Sequence, residues 1–117
     1  MADDAVLDDS IVEGLRRLGD QILIEIVQLW FDNLEPGLIA MRTASAADDR
    51  PALITAAHTL RGSAANVGAA RLAAACAALE TAARELAEGP ELAALTDTVT
   101  IEAAAAQAAL TQLVEQP

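Results

Sequence analysis

The chain is rich in apolar residues yet almost without aromatic ones: 54% of it is hydrophobic, but it has one Trp, one Phe and no Tyr. A core without large rings has to be filled by alanine, leucine and isoleucine, and small side chains suit helices that approach one another closely. Only four prolines and six glycines interrupt 117 residues. So few turn-forming residues disfavour a β architecture.

The apolar pattern agrees with an all-helical reading. Ser10 followed by Glu13 has capping-box spacing and introduces a short amphipathic segment from Ile11 to Leu18, closed by Gly19. Asp20 is placed to cap a longer helix, in which Leu23, Ile26, Val27, Trp30, Leu34, Leu38 and Met41 recur at helical spacing. Pro36 falls inside that stripe and predicts a kink, but the phase carries through it, so a single helix is expected. Asp48-Asp49-Arg50-Pro51 reads as a restart, with an acidic cap and a proline in the first turn. The next helix should run to about Val67, with Gly68 as its C-terminal cap. Leu72, Cys76, Leu79, Ala83 and Leu86 form another stripe that stops at Gly89-Pro90. A last helix from about Glu91 to Val114 turns Leu92, Leu95, Val99, Ala103, Ala106, Leu110 and Leu113 inward, and Glu115-Gln116-Pro117 should fray. Four long amphipathic helices with short connections predict one antiparallel four-helix bundle domain over 1–117, with the short first helix packed across one end.

Charge narrows the function. Eighteen carboxylates stand against seven cations, giving a net charge of −11, and all the cations are arginines. That balance argues against nucleic acid and anionic membrane surfaces, both of which call for clustered positive charge. No apolar run approaches the ~20 residues that span a bilayer, and the acidic start Met1-Ala2-Asp3-Asp4 is unlike the basic start of a signal peptide. One Cys cannot form an internal disulfide. The expectation is a cytoplasmic domain, monomeric by virtue of its acidic surface.

The single histidine is the most informative residue. His58 lies in the run His58-Thr59-Leu60-Arg61-Gly62-Ser63-Ala64-Ala65-Asn66-Val67-Gly68-Ala69. On a wheel of about 100° per residue with Leu60 at zero, Leu53, Ala57, Ala64 and Val67 all fall within roughly 60° of it. His58 falls near 160° on the same wheel, on the outer face with Ile54, Arg61, Gly62 and Ala65. Glycine inside a helix is about 1 kcal/mol worse than alanine, so Gly62 needs compensation, and close approach of another molecule supplies it. A neutral imidazole has a lone pair to offer an activated phosphoryl group, and Arg61 one turn on can steady the charge that such a group brings.

The run resembles the signature of histidine-containing phosphotransfer domains, carried here by His58, Leu60, Arg61, Gly62, Ser63, Val67, Gly68 and Ala69. Leu7-Asp8, Phe31, Pro36, Cys76 and Leu79-Glu80 extend the similarity along most of the chain. Arg61 departs from the pattern, in which lysine is commoner; arginine keeps the charge and adds a planar fork. The resemblance implies a phosphorelay intermediate, with His58 accepting a phosphoryl group from a receiver-domain aspartate and passing it to another receiver, and Arg61 steadying it. It implies response-regulator receivers and a hybrid histidine kinase as partners, Mg²⁺ on the receiver, no cofactor or metal on this chain, and no kinase activity of its own. In the family the receiver docks around the histidine; here that surface would hold Ile54, Ala57, Gly62 and Ala65, joined by Ile22, Ile24 or Leu29 of the long second helix.

Two other readings remain open at this point. A receiver-binding module of the same fold that carries no phosphate would keep its activity without His58. A hydrolase using His58 with Ser63 is disfavoured, since residues five apart on a helix do not face each other and no orienting acid is evident. Cys76 reads as a buried, inert thiol. Glu80 falls beside the core stripe and reads as a cap or a partner for a nearby helix.

Overall fold

The computed structural model describes residues 5–115; Met1-Ala2-Asp3-Asp4 and the Gln116-Pro117 tail lie outside them. Among the described residues five helices follow one another: α1 (Asp9–Arg16), α2 (Asp20–Ala46), α3 (Arg50–Asn66), α4 (Ala70–Arg84) and α5 (Gly89–Glu115). The last four close a ring in which α2 packs on α3 and α5, and α4 packs on α3 and α5. The 27-residue helices α2 and α5 would each extend about 40 Å, and the molecule's longest dimension is 44 Å. This is the expected four-helix bundle with an added N-terminal helix.

Its core is made as the aromatic-poor composition requires. Leu53, Ala57, Leu60, Ala64 and Val67 face inward from the α3 end of the bundle, meeting Leu72, Cys76, Leu79 and Ala83 from α4 and Val99, Ala103, Ala106 and Leu110 from α5. Trp30 is buried among them, with Phe31 partly buried beside it, their rings 5.8 Å apart. Pro36 does not divide α2, which continues as one helix to Ala46. Next to it, Gly37 lets Leu60 of α3 come close: a Cβ at Gly37 would stand 2.8 Å from a Leu60 methyl.

The helix ends share a device. After α2, α3 and α4 the chain turns through a residue of positive φ: Asp48 (55°), Gly68 (74°) and Leu86 (62°). In each case the following amide donates back to a carbonyl five residues earlier: Asp49 to Ala44, Ala69 to Ala64, and Ala87 to Ala82. These are Schellman ends, which satisfy the terminal carbonyls and reverse the chain within a few residues. Leu86 is therefore not part of the inward stripe, as its spacing suggested. Helix α4 ends at Arg84, and Leu86 is 74% exposed. The Arg50 guanidinium fixes that end by donating to the carbonyls of Ala83 and Ala87 at 3.1 and 2.9 Å.

Two N-terminal caps also differ from expectation. Asp8, not Ser10, caps α1: its Oδ1 accepts from the amides of Ser10 and Ile11 and from the Ser10 hydroxyl. A carboxylate is a stronger acceptor than a hydroxyl, and the Ser10 hydrogen bonds hold Asp8 below its ordinary pKa. At α2 the cap is Gly19, at φ 105°, with Asp20 in the first turn. The Asp8 amide donates to the Gly68 carbonyl at 2.7 Å, which seats α1 on the turn that follows the histidine helix.

Candidate functional site

Asp49 starts the site helix by accepting from the Ala52 amide, and Pro51 follows in its first turn. The inward face of α3 is filled with leucine and alanine, so its rotation in the bundle is fixed. His58 consequently projects outward, with 60% of its side chain exposed.

The ring is held from one side only. Both carboxylate oxygens of Glu80, on α4, lie 3.2–3.3 Å from His58 Nδ1. Arg61 Nη2 lies 3.2 Å from the same nitrogen, and its Nη1 lies 3.5 Å from Glu80 Oε1. One nitrogen cannot both donate to a carboxylate and accept from a guanidinium. The ionised carboxylate can only accept, so Nδ1 carries the proton and donates to Glu80, and Arg61 belongs to the carboxylate. The neutral ring then keeps its lone pair on Nε2. Among the described residues, all the polar contacts of the ring are made through Nδ1.

Glu80 is the hub of this arrangement. Its side chain is only 8% exposed, and Arg84 donates to its Oε2 at 2.9 and 3.1 Å. The Arg84 hydrogen bonds hold Glu80 below the ordinary glutamate pKa; burial pushes the other way, and the His58 hydrogen bond and the charge of Arg61 add to the lowering. Glu80 is thus more than the helix cap or helix pair its sequence position suggested, and Arg84 was not foreseen at all. The readable signal was the i, i+4 spacing of a glutamate and an arginine beside a buried stripe. That Glu80 reaches His58 depends on how α3 and α4 are rotated against each other, which a single-helix wheel does not contain.

The expected surface is only partly assembled. Gly62 and Ala65 are exposed, and Ile54 is half-buried against the core. A Cβ at Gly62 would meet nothing within 4 Å, so this glycine serves no internal packing. Ala57 is fully buried and cannot belong to an outer face. Ile22, Ile24 and Leu29 are all exposed on α2. Ser63 is half-buried, and no hydrogen bond joins it to His58. Cys76 is buried, which pushes its thiol up to about 12 and keeps it a poor nucleophile. No described helix is long and apolar enough to cross a membrane.

Comparison with known proteins agrees with this geometry. The Hpt domain family model matches residues 25–116. The fold is similar to the crystal structure of histidine-containing phosphotransfer protein B (HptB) from Pseudomonas aeruginosa PAO1, with a TM-score of 0.83 and 28% identity over 97% of this chain and 98% of that one. It is also similar in fold to the HPT domain of a sensor hybrid histidine kinase from Shewanella, with a TM-score of 0.78 and 18% identity over 96% of each chain. No curated protein sequence matches the chain. With a family match over most of its length and an exposed histidine on a helical bundle, the chain belongs to the Hpt domain family, the histidine phosphotransfer domains of phosphorelays.

Proposed function

We propose that His58 is the residue that carries the phosphoryl group, and that it does so on Nε2. The observation that carries this reading is the one-sided hold on the ring: Glu80 occupies Nδ1, while the exposed edge bears the lone pair. In the transfer, Nε2 attacks the phosphorus of a receiver's aspartyl phosphate. The N–P bond forms, the bond from phosphorus to the aspartate oxygen breaks, and the aspartate leaves as a carboxylate. The proton on Nδ1 stays, so the ring becomes an imidazolium whose charge faces Glu80. Arg61 is within one turn and supplies charge-assisted hydrogen bonds to the phosphoryl oxygens. Transfer to a second receiver runs the same steps in reverse.

Such a reaction rests on positioning and electrostatics. The receiver brings its own Mg²⁺ and acidic site, and this chain works as a stoichiometric carrier without kinase activity or a cofactor. Receivers and a hybrid histidine kinase are its partners; Gly62, Ala65 and Ile54 form the near part of the docking surface, with Ile22, Ile24 and Leu29 beyond. The chain acts as one Hpt domain, a cytoplasmic monomer. The test is transfer of labelled phosphate from a phosphorylated receiver in the presence of Mg²⁺. Acid-labile, base-stable label on the wild type and none on His58→Gln is the expected result; equal label on both would overturn the assignment.

A further inference from the structure

Three side chains meet at Glu80, and only two of them are accounted for by the reading above. Among the described residues Arg84 touches neither the ring nor the exposed edge at which phosphate would sit; it donates to Glu80 Oε2. Arg61 is bound to the same carboxylate, more loosely, at 3.5 Å. For Arg61 to serve a phosphoryl group on Nε2 it has to leave Glu80. Leaving a carboxylate that is 8% exposed without a cationic partner is costly, because an uncompensated buried charge is among the more destabilising features in a protein.

We propose that Arg84 is a positioning residue for phosphotransfer, which holds Glu80 as a paired carboxylate so that Arg61 is free to change partners from Glu80 to the phosphoryl group. The inference rests on His58 being the carrier. Its charge balance is closed. Before transfer, one carboxylate faces two guanidiniums and a neutral ring. After transfer, the N–P bond adds a dianionic phosphoryl group and turns the ring into an imidazolium. Arg84 then stays with Glu80, Nδ1 keeps its proton and donates it to Glu80, and Arg61 joins the phosphoryl oxygens. Without Arg84, recruiting Arg61 for the phosphate leaves the carboxylate with no guanidinium and only the imidazolium to face it.

The geometry also explains why the two arginines are not equivalent. Arg84 grips Oε2 with Nε and Nη2 together, at 3.1 and 2.9 Å, from one turn along the same helix. A two-nitrogen contact within one helix is the more persistent. Arg61 reaches Glu80 across the α3–α4 seam through one longer contact, so it is the partner more readily given up.

The experiment measures phosphoryl acceptance from a phosphorylated receiver for the wild type, Arg84→Ala, Arg84→Lys, Glu80→Gln and Glu80→Gln/Arg84→Ala, each checked for helical circular dichroism. The expected result is a loss of about tenfold in rate for Arg84→Ala, largely restored in Arg84→Lys. Against the neutral Glu80→Gln background the same Arg84→Ala change should cost less than twofold, because no buried charge remains to be held. A merely structural arginine would show the same loss in both backgrounds, and that result would overturn the proposal, as would Arg84→Ala transferring at the wild-type rate. Should Arg84→Ala fail to fold, the rate of Arg84→Lys against wild type decides, since retention of charge alone is expected to keep most of the activity. Wild-type protein that takes no label would count against His58 itself, whereas label on the wild type with an unchanged Arg84→Ala counts against this inference alone.

Discussion

The Glu80 carboxylate lies 3.2 Å from Nδ1 of His58, across the seam between two helices and 22 positions apart in sequence. This contact decides which nitrogen of the ring is free. It makes the site directional, with a buried anion behind the ring and solvent in front.

Replacing the ring should cost function and not structure. His58→Gln is expected to stay folded and to lose no more than about 1.5–3 kcal/mol, the scale of one hydrogen bond to a charged group, and to accept no phosphate. A thermal melt followed by circular dichroism checks this; a large loss of helix would mean that the ring is structural.

Glu80 should fix the tautomer of His58. In Glu80→Leu the preference for a proton on Nδ1 should weaken, whereas Glu80→Gln keeps a carbonyl oxygen that can accept from it. Long-range ¹H–¹⁵N spectra of the ring report the tautomer directly. An unchanged Nδ1–H population in Glu80→Leu would show that the contact does not direct the ring.

Stability should depend on pH through the same carboxylate. Glu80 has a lowered pKa in the folded protein, so its contribution is fully present above the ordinary glutamate value of about 4.3. It is lost as pH falls through the lower folded value. The stability gap between the wild type and Glu80→Gln should therefore be widest near neutrality and shrink in acid. A gap that stays constant from pH 7 to pH 3 would contradict this sign.

Gly62→Leu should separate folding from docking. A side chain there has open space around it and gains helix propensity of up to about 1 kcal/mol. The variant is expected to be at least as stable as the wild type but to accept phosphate at least tenfold more slowly. Unimpaired transfer would remove the argument for close approach.

The Schellman turns offer a check on backbone strain. Leu86 is exposed and left-handed, at φ 62°, a conformation that costs a non-glycine residue roughly 1–2 kcal/mol. Leu86→Gly should raise stability by up to about 1 kcal/mol. Gly68→Ala should lower it, because a Cβ there is strained at φ 74° and lies 3.1 Å from Ile11. Chemical denaturation of the two variants should give shifts of opposite sign.

The sequence made most of the fold legible because each helix carries its own stripe, and a stripe is a local property. Leu53, Ala57, Leu60, Ala64 and Val67 sit where the wheel placed them, and so His58 faces outward. Leu86 misled because its spacing fits the α4 stripe, while the helix ends two residues earlier, where Arg50 from α3 reaches the Ala83 and Ala87 carbonyls. Asp8 is hidden as a cap because Ser10 and Glu13 match a pattern that the nearby carboxylate outcompetes. Ala57 fits the inner stripe and lies beside the outer face on the wheel, and burial assigns it to the inner one. The site itself was half readable. His58, Arg61 and Gly62 share one helix and one face, but Glu80 and Arg84 enter from another, and the rotation between two helices is set by packing.

Because His58 is the only histidine in the chain, the most direct test is the ³¹P and ¹⁵N spectrum of the ring after exposure to a phosphorylated receiver and Mg²⁺. The account predicts phosphorus coupled to Nε2, with Nδ1 still protonated against Glu80. Phosphorus on Nδ1, or a ring left unmodified while the receiver loses its phosphate to another residue of this chain, would contradict it.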